Sequence, residues 1–346
     1  MMTSDLQQLD TAALAAWMSA HVAGFGGPLS ARKFATGQSN PTFLIKAASG
    51  NYVLRRKPPG QLLKSAHAVE REFRVMRALA ETDVPVPRAL ALCEDAGVIG
   101  TAFYIMAHVE GRIFWDPALP ELTREERAAV YDEMNRVLAA LHWLDPAALG
   151  LADFGRPGNY FGRQIARWSE QYRASETGAV ADMDTLMLWL DAHEPDDDSR
   201  VAIVHGDYRI DNFIFAKDAP RLIAVLDWEL STLGHPLADL AYQCMHWRLP
   251  HEGAFRGLAG VDRAALGIPD EDEYVGRYCE RLALGPIPHW TFYLAFSFFR
   301  LAAILQGVKK RALDGNASNP ERAHQMDAAV PVLARMAMAL IHETSA

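Results

Sequence analysis

Cysteine is scarce in this sequence. Cys93, Cys244 and Cys279 are its only thiols, and they fall far apart with no C-x-x-C pair. That argues against a disulfide framework or a zinc site and fits a reducing, cytoplasmic setting. Basic charge is also short, since 34 Lys and Arg against 43 Asp and Glu leave a net charge of −9. Nucleic-acid binders gather Lys and Arg around phosphates, so no nucleic-acid partner is expected. No basic segment followed by an apolar stretch opens the chain; Asp5 and Asp10 stand there instead, and no signal peptide is read. The most apolar stretch, residues 290–305, is broken by Ser297 and Arg300, and reads as too short and too interrupted to span a membrane. There is no internal repeat and no long low-complexity tract. The remainder is globular in character, 50% hydrophobic and 22% charged over 346 residues, enough for two lobes. Two short basic runs, Arg55-Arg56-Lys57 and Lys309-Lys310-Arg311, read first as solvated faces.

A short amphipathic helix is expected at residues 10–21. Strands are expected at 32–35, 42–47 and 52–57, the last two joined by the hairpin signal Ala48-Ser49-Gly50-Asn51. Val69, Phe73, Met76 and Leu79 recur near the helical period and predict a helix over 66–81, which Val84-Pro85-Val86-Pro87 closes. Two more strands follow at 88–93 and 101–109. Beyond Glu110-Gly111 the pattern turns helical, at 123–144, 161–175, 182–192, 236–247, 271–284, 289–312 and 320–342. Short apolar runs at 201–204 and 222–226 interrupt it. The expected fold is α+β, with a small β-rich lobe over residues 1–109 and a larger, mainly helical lobe over residues 110–346.

The residues that can carry chemistry lie in that interruption. From Val204 the chain runs His205-Gly206-Asp207, and Asn212 follows five residues after Asp207. The second apolar run ends in Asp227-Trp228-Glu229. Two strand-end carboxylates and an amide can converge on one point. Phosphoryl transfer needs such a set: one carboxylate to orient or accept a hydroxyl proton, and hard oxygen donors for Mg²⁺. Singly, each is an ordinary turn residue. His205, Asp207, Asp227 and His235 also leave a hydrolytic metal centre open, although no histidine pair has zincin spacing.

The H-G-D-x-x-x-x-N run, followed by two apolar residues and D-W-E, resembles the catalytic and metal motifs of the aminoglycoside phosphotransferase and choline kinase-like family. The resemblance covers residues 36–242 and implies a two-lobed protein-kinase-like fold, with ATP or GTP as co-substrate and Mg²⁺ as cofactor. It makes Asp207 the catalytic base and Asn212 and Asp227 the metal ligands. Asp239, near a helix start, is expected to support the catalytic loop, while His205 and Gly206 shape it. On the nucleotide side the resemblance gives the loop Gly37, Gln38, Ser39 and Asn40 to the phosphates. Val53 and Arg55, on one strand face, are expected at adenine and phosphate respectively. Arg55 stands where the family has lysine, which opens the alternative of a nucleotide-binding pseudoenzyme. Glu72 matches the helix glutamate that pairs with the strand cation, and Glu70 reads as solvent-facing. Met106, Ala107, His108 and Val109 are the expected adenine contacts.

Thr36 to Thr42, Tyr52 to Gly60 and Leu226 to Pro236 are most similar to the kinase-like domains associated with acyl-CoA dehydrogenases, although no dehydrogenase-sized second half is expected here. The implied activity is phosphorylation of a small-molecule hydroxyl. The aromatic run from Trp290 to Phe299, with Arg300 and Lys309 to Arg311 nearby, suits an apolar acceptor that carries an anionic group. A hydroxy acid or its thioester is expected rather than an aminoglycoside. The same stripe at helical spacing also reads as core. Glu194 to Asp198 reads as a solvated acidic loop.

Overall fold

Alternating side chains in the first hundred residues build an antiparallel sheet. The computed structural model describes residues 9–34, 40–59, 67–253, 255–314 and 328–345. Its strands are β1 (Leu29–Lys33), β2 (Thr42–Ala47), β3 (Gly50–Arg56), β4 (Ala89–Cys93) and β5 (Phe103–Ala107), in the order β1-β2-β3-β5-β4. Helix α1 (Thr11–His21) starts at Asp10, whose carboxylate accepts the N–H groups of Ala12 and Ala13. Its Leu14 and Met18 join Phe43, Ile45, Tyr52, Leu54, Phe103 and Ile105 in a core on one sheet face. The opposite face presents Leu44, Val53 and Met106 as neighbours, with Thr42, Arg55 and Tyr104 in the next row. Helix α2 (Val69–Leu79) brings Glu72 to that row.

The chain forms two compact units. The first is Met1–Arg112 together with Ile214–Lys217 and Ile223–Ser231, and the second is Ile113–Phe213, Asp218–Leu222 and Thr232–Ala346. The two late segments of the first unit come largely from the hairpin β7 (Phe213–Phe215) and β8 (Leu222–Val225). They are tied to the N-terminal part by the Val225 N–H on the Pro85 carbonyl, 2.8 Å, and by reciprocal bonds between Arg112 and Phe215. Gly111 permits that approach, because a Cβ there would meet the Phe215 carbonyl oxygen at 2.2 Å.

The second unit is mainly helical. It contains α3 (Arg124–Trp143), α4 (Tyr160–Ser175), α5 (Ala181–Ala192), α6 (Leu237–Met245), α7 (Arg263–Leu266), α8 (Glu271–Arg281), α9 (Trp290–Leu313) and α10 (Ala329–Ser345). Strands β6 (Ala202–Val204) and β9 (Thr232–Gly234) pair antiparallel. The two apolar runs read from the sequence therefore belong to different small sheets, β6 with β9 and β8 with β7.

Two expectations are corrected here. Helix α9 has 24 residues and is, by length and composition, long and apolar enough to cross a membrane. Two thirds of its apolar window is nonetheless buried inside the unit, packed by α4, α5, α6 and α10. Its aromatic stripe is core: Phe292, Tyr293 and Phe296 all contact the Phe161 ring. The run Arg55-Arg56-Lys57 is not a solvated face either, since Arg55 and Arg56 are 9% and 4% exposed. Arg56 lies over the Phe43 ring, and Lys57 pairs with Glu70, whose side chain stays 39% exposed, as expected of a solvent-facing residue.

Candidate active site

In the first unit, Arg55 is the centre of a charged cluster. Its Nη2 lies 2.7 Å from Asp227 Oδ1 and 2.9 Å from Glu229 Oε2, and its Nε lies 2.9 Å from Glu72 Oε2. Burial pulls the guanidinium pKa down, but Asp227, Glu72 and Glu229 more than reverse it and hold the value well above normal. One cation cannot fully compensate three carboxylates. Glu72, the deepest at 2% exposure, is raised by burial despite Arg55, with Asp227 adding to the push. Tyr104 donates to Glu72 Oε2 at 3.1 Å, and Asn40 Nδ2 donates to its Oε1 at 2.8 Å.

Asp227 adopts a left-handed backbone, φ 65°, at the entrance to a 3₁₀ turn, Trp228–Leu230. A non-glycine residue there is unusual, and Asp is among those that tolerate it best. The buried Trp228 anchors the turn by donating Nε1–H to the Val225 carbonyl. Asp227 is thereby held with one carboxylate oxygen on Arg55.

Several expected nucleotide residues can be placed. Gly37, Gln38 and Ser39 lie outside the described residues. Asn40 is buried and its side chain is committed to Glu72 and His67, so it faces inward rather than toward a phosphate. Val53 and Met106 are opposite neighbours on β3 and β5. The Ala107 N–H donates to the Arg88 carbonyl at 2.9 Å. His108 and Val109 follow the last strand pair and are half-buried.

The second unit holds the His-Gly-Asp loop after β6. Gly206 has φ +85°, and its N–H reaches Asp239 Oδ1 at 2.8 Å, while the His205 N–H reaches Asp239 Oδ2 at 2.6 Å. The His205 ring turns back so that Nδ1 accepts the Asp207 N–H at 3.1 Å. Asp239 sits in the first turn of α6, and His142 Nε2 approaches it at 3.5 Å.

Asp207 is held at both oxygens. Tyr242 donates its hydroxyl to Oδ1 at 2.7 Å, and Oδ2 accepts Asn212 Nδ2 at 2.8 Å and Arg209 Nε at 3.2 Å. Burial pushes this carboxyl up, but Arg209, Tyr242, His205 and Asn212 outweigh it and hold the pKa at about 2. It is a carboxylate at neutral pH. Asp211, given no role by the sequence, pairs with Arg209 at 2.8 Å.

The histidines do not support a hydrolytic metal centre. His235 Nδ1 accepts the Leu237 N–H at 3.2 Å and its Nε2 lies 3.2 Å from Asp198 Oδ1, so both ring nitrogens are engaged. Burial lowers its pKa to about 4 despite Asp198, which keeps the ring neutral. Among the described residues no three His, Cys, Asp or Glu side chains gather as a metal-holding group.

The profile of the phosphotransferase enzyme family, APH, matches residues 30–274. The chain belongs to this family. It is 53% identical to a Ralstonia eutropha structure provisionally named an aminoglycoside phosphotransferase, with a TM-score of 0.87 over 97% of this chain and 99% of that one. It is also 50% identical, over 85% of its length, to acyl-CoA dehydrogenase family member 10 of Mus musculus, and spans 27% of that longer protein. An aminoglycoside phosphotransferase APH(4)-Ia structure, a ternary complex with AMP-PNP and hygromycin B, shares the fold at 18% identity and a TM-score of 0.58, covering 91% of this chain and 94% of that one.

Four APH-family site neighbours escaped the sequence reading. Tyr242 and Arg209 touch Asp207, Glu229 touches Arg55, and His142 approaches Asp239. For Tyr242 a signal existed, because it lies three residues after Asp239 and thus on the same helix face. The Asp239 anchor makes a testable demand. Asp239→Ala strands two buried N–H groups and is expected to lower stability by about 2–5 kcal/mol in urea unfolding. Asp239→Asn keeps one acceptor oxygen and should cost less; no measurable change for the alanine variant would contradict the anchor.

Proposed function

We propose that the chain is a Mg²⁺-dependent kinase that transfers the γ-phosphate of ATP, or GTP, to a hydroxyl of a small molecule. The acceptor is a hydroxy acid or hydroxyacyl thioester rather than an aminoglycoside. The observation that carries the reading is Asp207, an ionised carboxylate held at both oxygens yet with 18% of its side chain still accessible. In the reaction the acceptor oxygen bonds to the γ-phosphorus as the bond to the bridging β-phosphate oxygen breaks. ADP leaves with that electron pair, and the hydroxyl proton passes to Asp207 and then to water. A carboxylate of such low basicity acts chiefly by orienting the hydroxyl, receiving the proton late in a loose transition state.

The donor set suits a hard cation. Asn212 spends its Nδ2 on Asp207, which leaves its amide oxygen, and Asp227 spends Oδ1 on Arg55, which leaves Oδ2. Each is a hard oxygen of the kind that would ligate Mg²⁺, which supplies charge neutralisation at phosphates. Val53 and Met106 offer an apolar surface for the base. The likeness to acyl-CoA dehydrogenase family member 10 supports an acyl-type acceptor, and the free, buried cysteines suit a reducing cytoplasm.

The test is release of ADP and of inorganic phosphate from ATP and Mg²⁺, with matched panels of hydroxyacyl compounds and aminoglycosides. ADP release that depends on a hydroxyacyl compound, without free phosphate, is the expected result. Phosphate release without acceptor would indicate a hydrolase, and nucleotide binding without either product a pseudoenzyme. Saturable phosphorylation of aminoglycosides, with no turnover of any hydroxy acid or thioester, would contradict the acceptor class.

A further inference from the structure

Arg300, on α9, is 6% exposed, yet among the described residues it has no carboxylate within ion-pair distance. Two other arginines at the expected site residues are ion-paired: Arg55 with Asp227, Glu72 and Glu229, and Arg209 with Asp207 and Asp211. The Arg300 guanidinium instead lies against two aromatic rings, 5.7 Å from the Trp168 centroid and 5.6 Å from that of Tyr242. Arg167 lies 5.3 Å from the same indole. Ring faces attract a cation without neutralising it, so the positive charge remains available. Its field reaches Tyr160 and Tyr242, where it opposes the upward push of burial.

The position is informative because of what Tyr242 does next. The ring that carries Arg300 on its face ends in the hydroxyl that donates to Asp207 at 2.7 Å. A buried, uncompensated charge is costly unless a partner arrives, and a planar guanidinium is shaped for bidentate binding of carboxylate or phosphate.

Resting on the kinase reading above, we infer that Arg300 holds the anionic group of the acceptor, a carboxylate or a phosphate, while Asp207 orients the acceptor hydroxyl. Trp168 and Tyr242 position the guanidinium, and Arg300 thereby selects anionic over neutral acceptors.

The test uses the full chain as wild type, Arg300→Lys and Arg300→Gln. Calorimetric titration with a medium-chain hydroxycarboxylate, and with the matching primary amide, reads the anion site without turnover. Initial rates with ATP and Mg²⁺ are compared on the hydroxycarboxylate, its CoA thioester and its uncharged N-acetylcysteamine thioester, which separates a carboxylate from the phosphates of CoA. Arg300→Gln is expected to raise Kd and KM for the charged acceptors roughly ten- to a hundredfold, the loss of one charge-assisted pair. KM for ATP and for the uncharged thioester should stay unchanged, and Arg300→Lys should recover part of the loss. If the carboxylate binds through Arg300 but no acceptor is phosphorylated, the inference stands and the kinase reading falls. If charged and neutral acceptors are handled alike by the wild type, or if no anionic compound binds, the inference is overturned while any turnover keeps the kinase reading. Equal weakening of both classes by Arg300→Gln also overturns it. The wild-type comparison decides the matter should neither variant fold.

Discussion

Asp207→Asn is expected to keep nucleotide-induced thermal stabilisation while turnover falls by about 10²–10⁴-fold. The fold tolerates the change, because the new amide can turn its oxygen to Asn212 and Arg209 and its NH₂ to Tyr242, whose hydroxyl can also accept. What the amide cannot do is take a proton or present a negative charge to the acceptor. The loss should fall on kcat, with little effect on KM for ATP. Asp227→Asn should fail differently. It removes a charged oxygen donor, so Mg²⁺-dependent stabilisation by nucleotide should itself shrink. Thermal shifts with and without Mg²⁺ separate the two, and the same binding defect in both variants would contradict the roles assigned to them.

The largest effect on stability is expected at Arg55. Arg55→Ala leaves Glu72, Asp227 and Glu229 facing one another without their common cation. Removing one partner from a buried ionic group typically costs about 3–5 kcal/mol, and urea unfolding should register a loss of that order. Arg55→Lys keeps the charge, but a single ammonium cannot reproduce a fork that reaches three carboxylates, so an intermediate loss is expected. Ligand binding adds a second readout. If Arg55 also serves the phosphates, the alanine variant should weaken ATP more than adenosine. Equal weakening of both would show that its part is confined to holding the unit together.

Much of this architecture was legible before any coordinates. The hairpin β2–β3 and helices α2 to α6 appear close to the residues where period and turn chemistry put them. The motif around Asp207 was legible because its spacing is local: Asn212 folds back on Asp207 within five residues. What was not legible is non-local or too short to carry a period. Strands β7 and β9 have three residues each, and nothing in such a run announces which partner it will pair with. The basic run at Arg55 read as a solvated face because its compensating acids lie elsewhere in the chain. The α9 stripe shows the opposite failure. Its aromatic residues were conspicuous in sequence, but burial turned them into core and left Arg300 as the residue of interest.

The Arg55 cluster also sets a problem of timing. Asp227 lies 172 residues after the arginine it compensates. A ribosome adding about 5–20 residues per second delivers Asp227 roughly 10–30 s after Arg55 has been made. During that interval the emerging sheet holds its inward-facing cation against Glu72 alone. The N-terminal unit therefore cannot reach its final charge balance as it is synthesised; it must wait for a segment encoded far downstream.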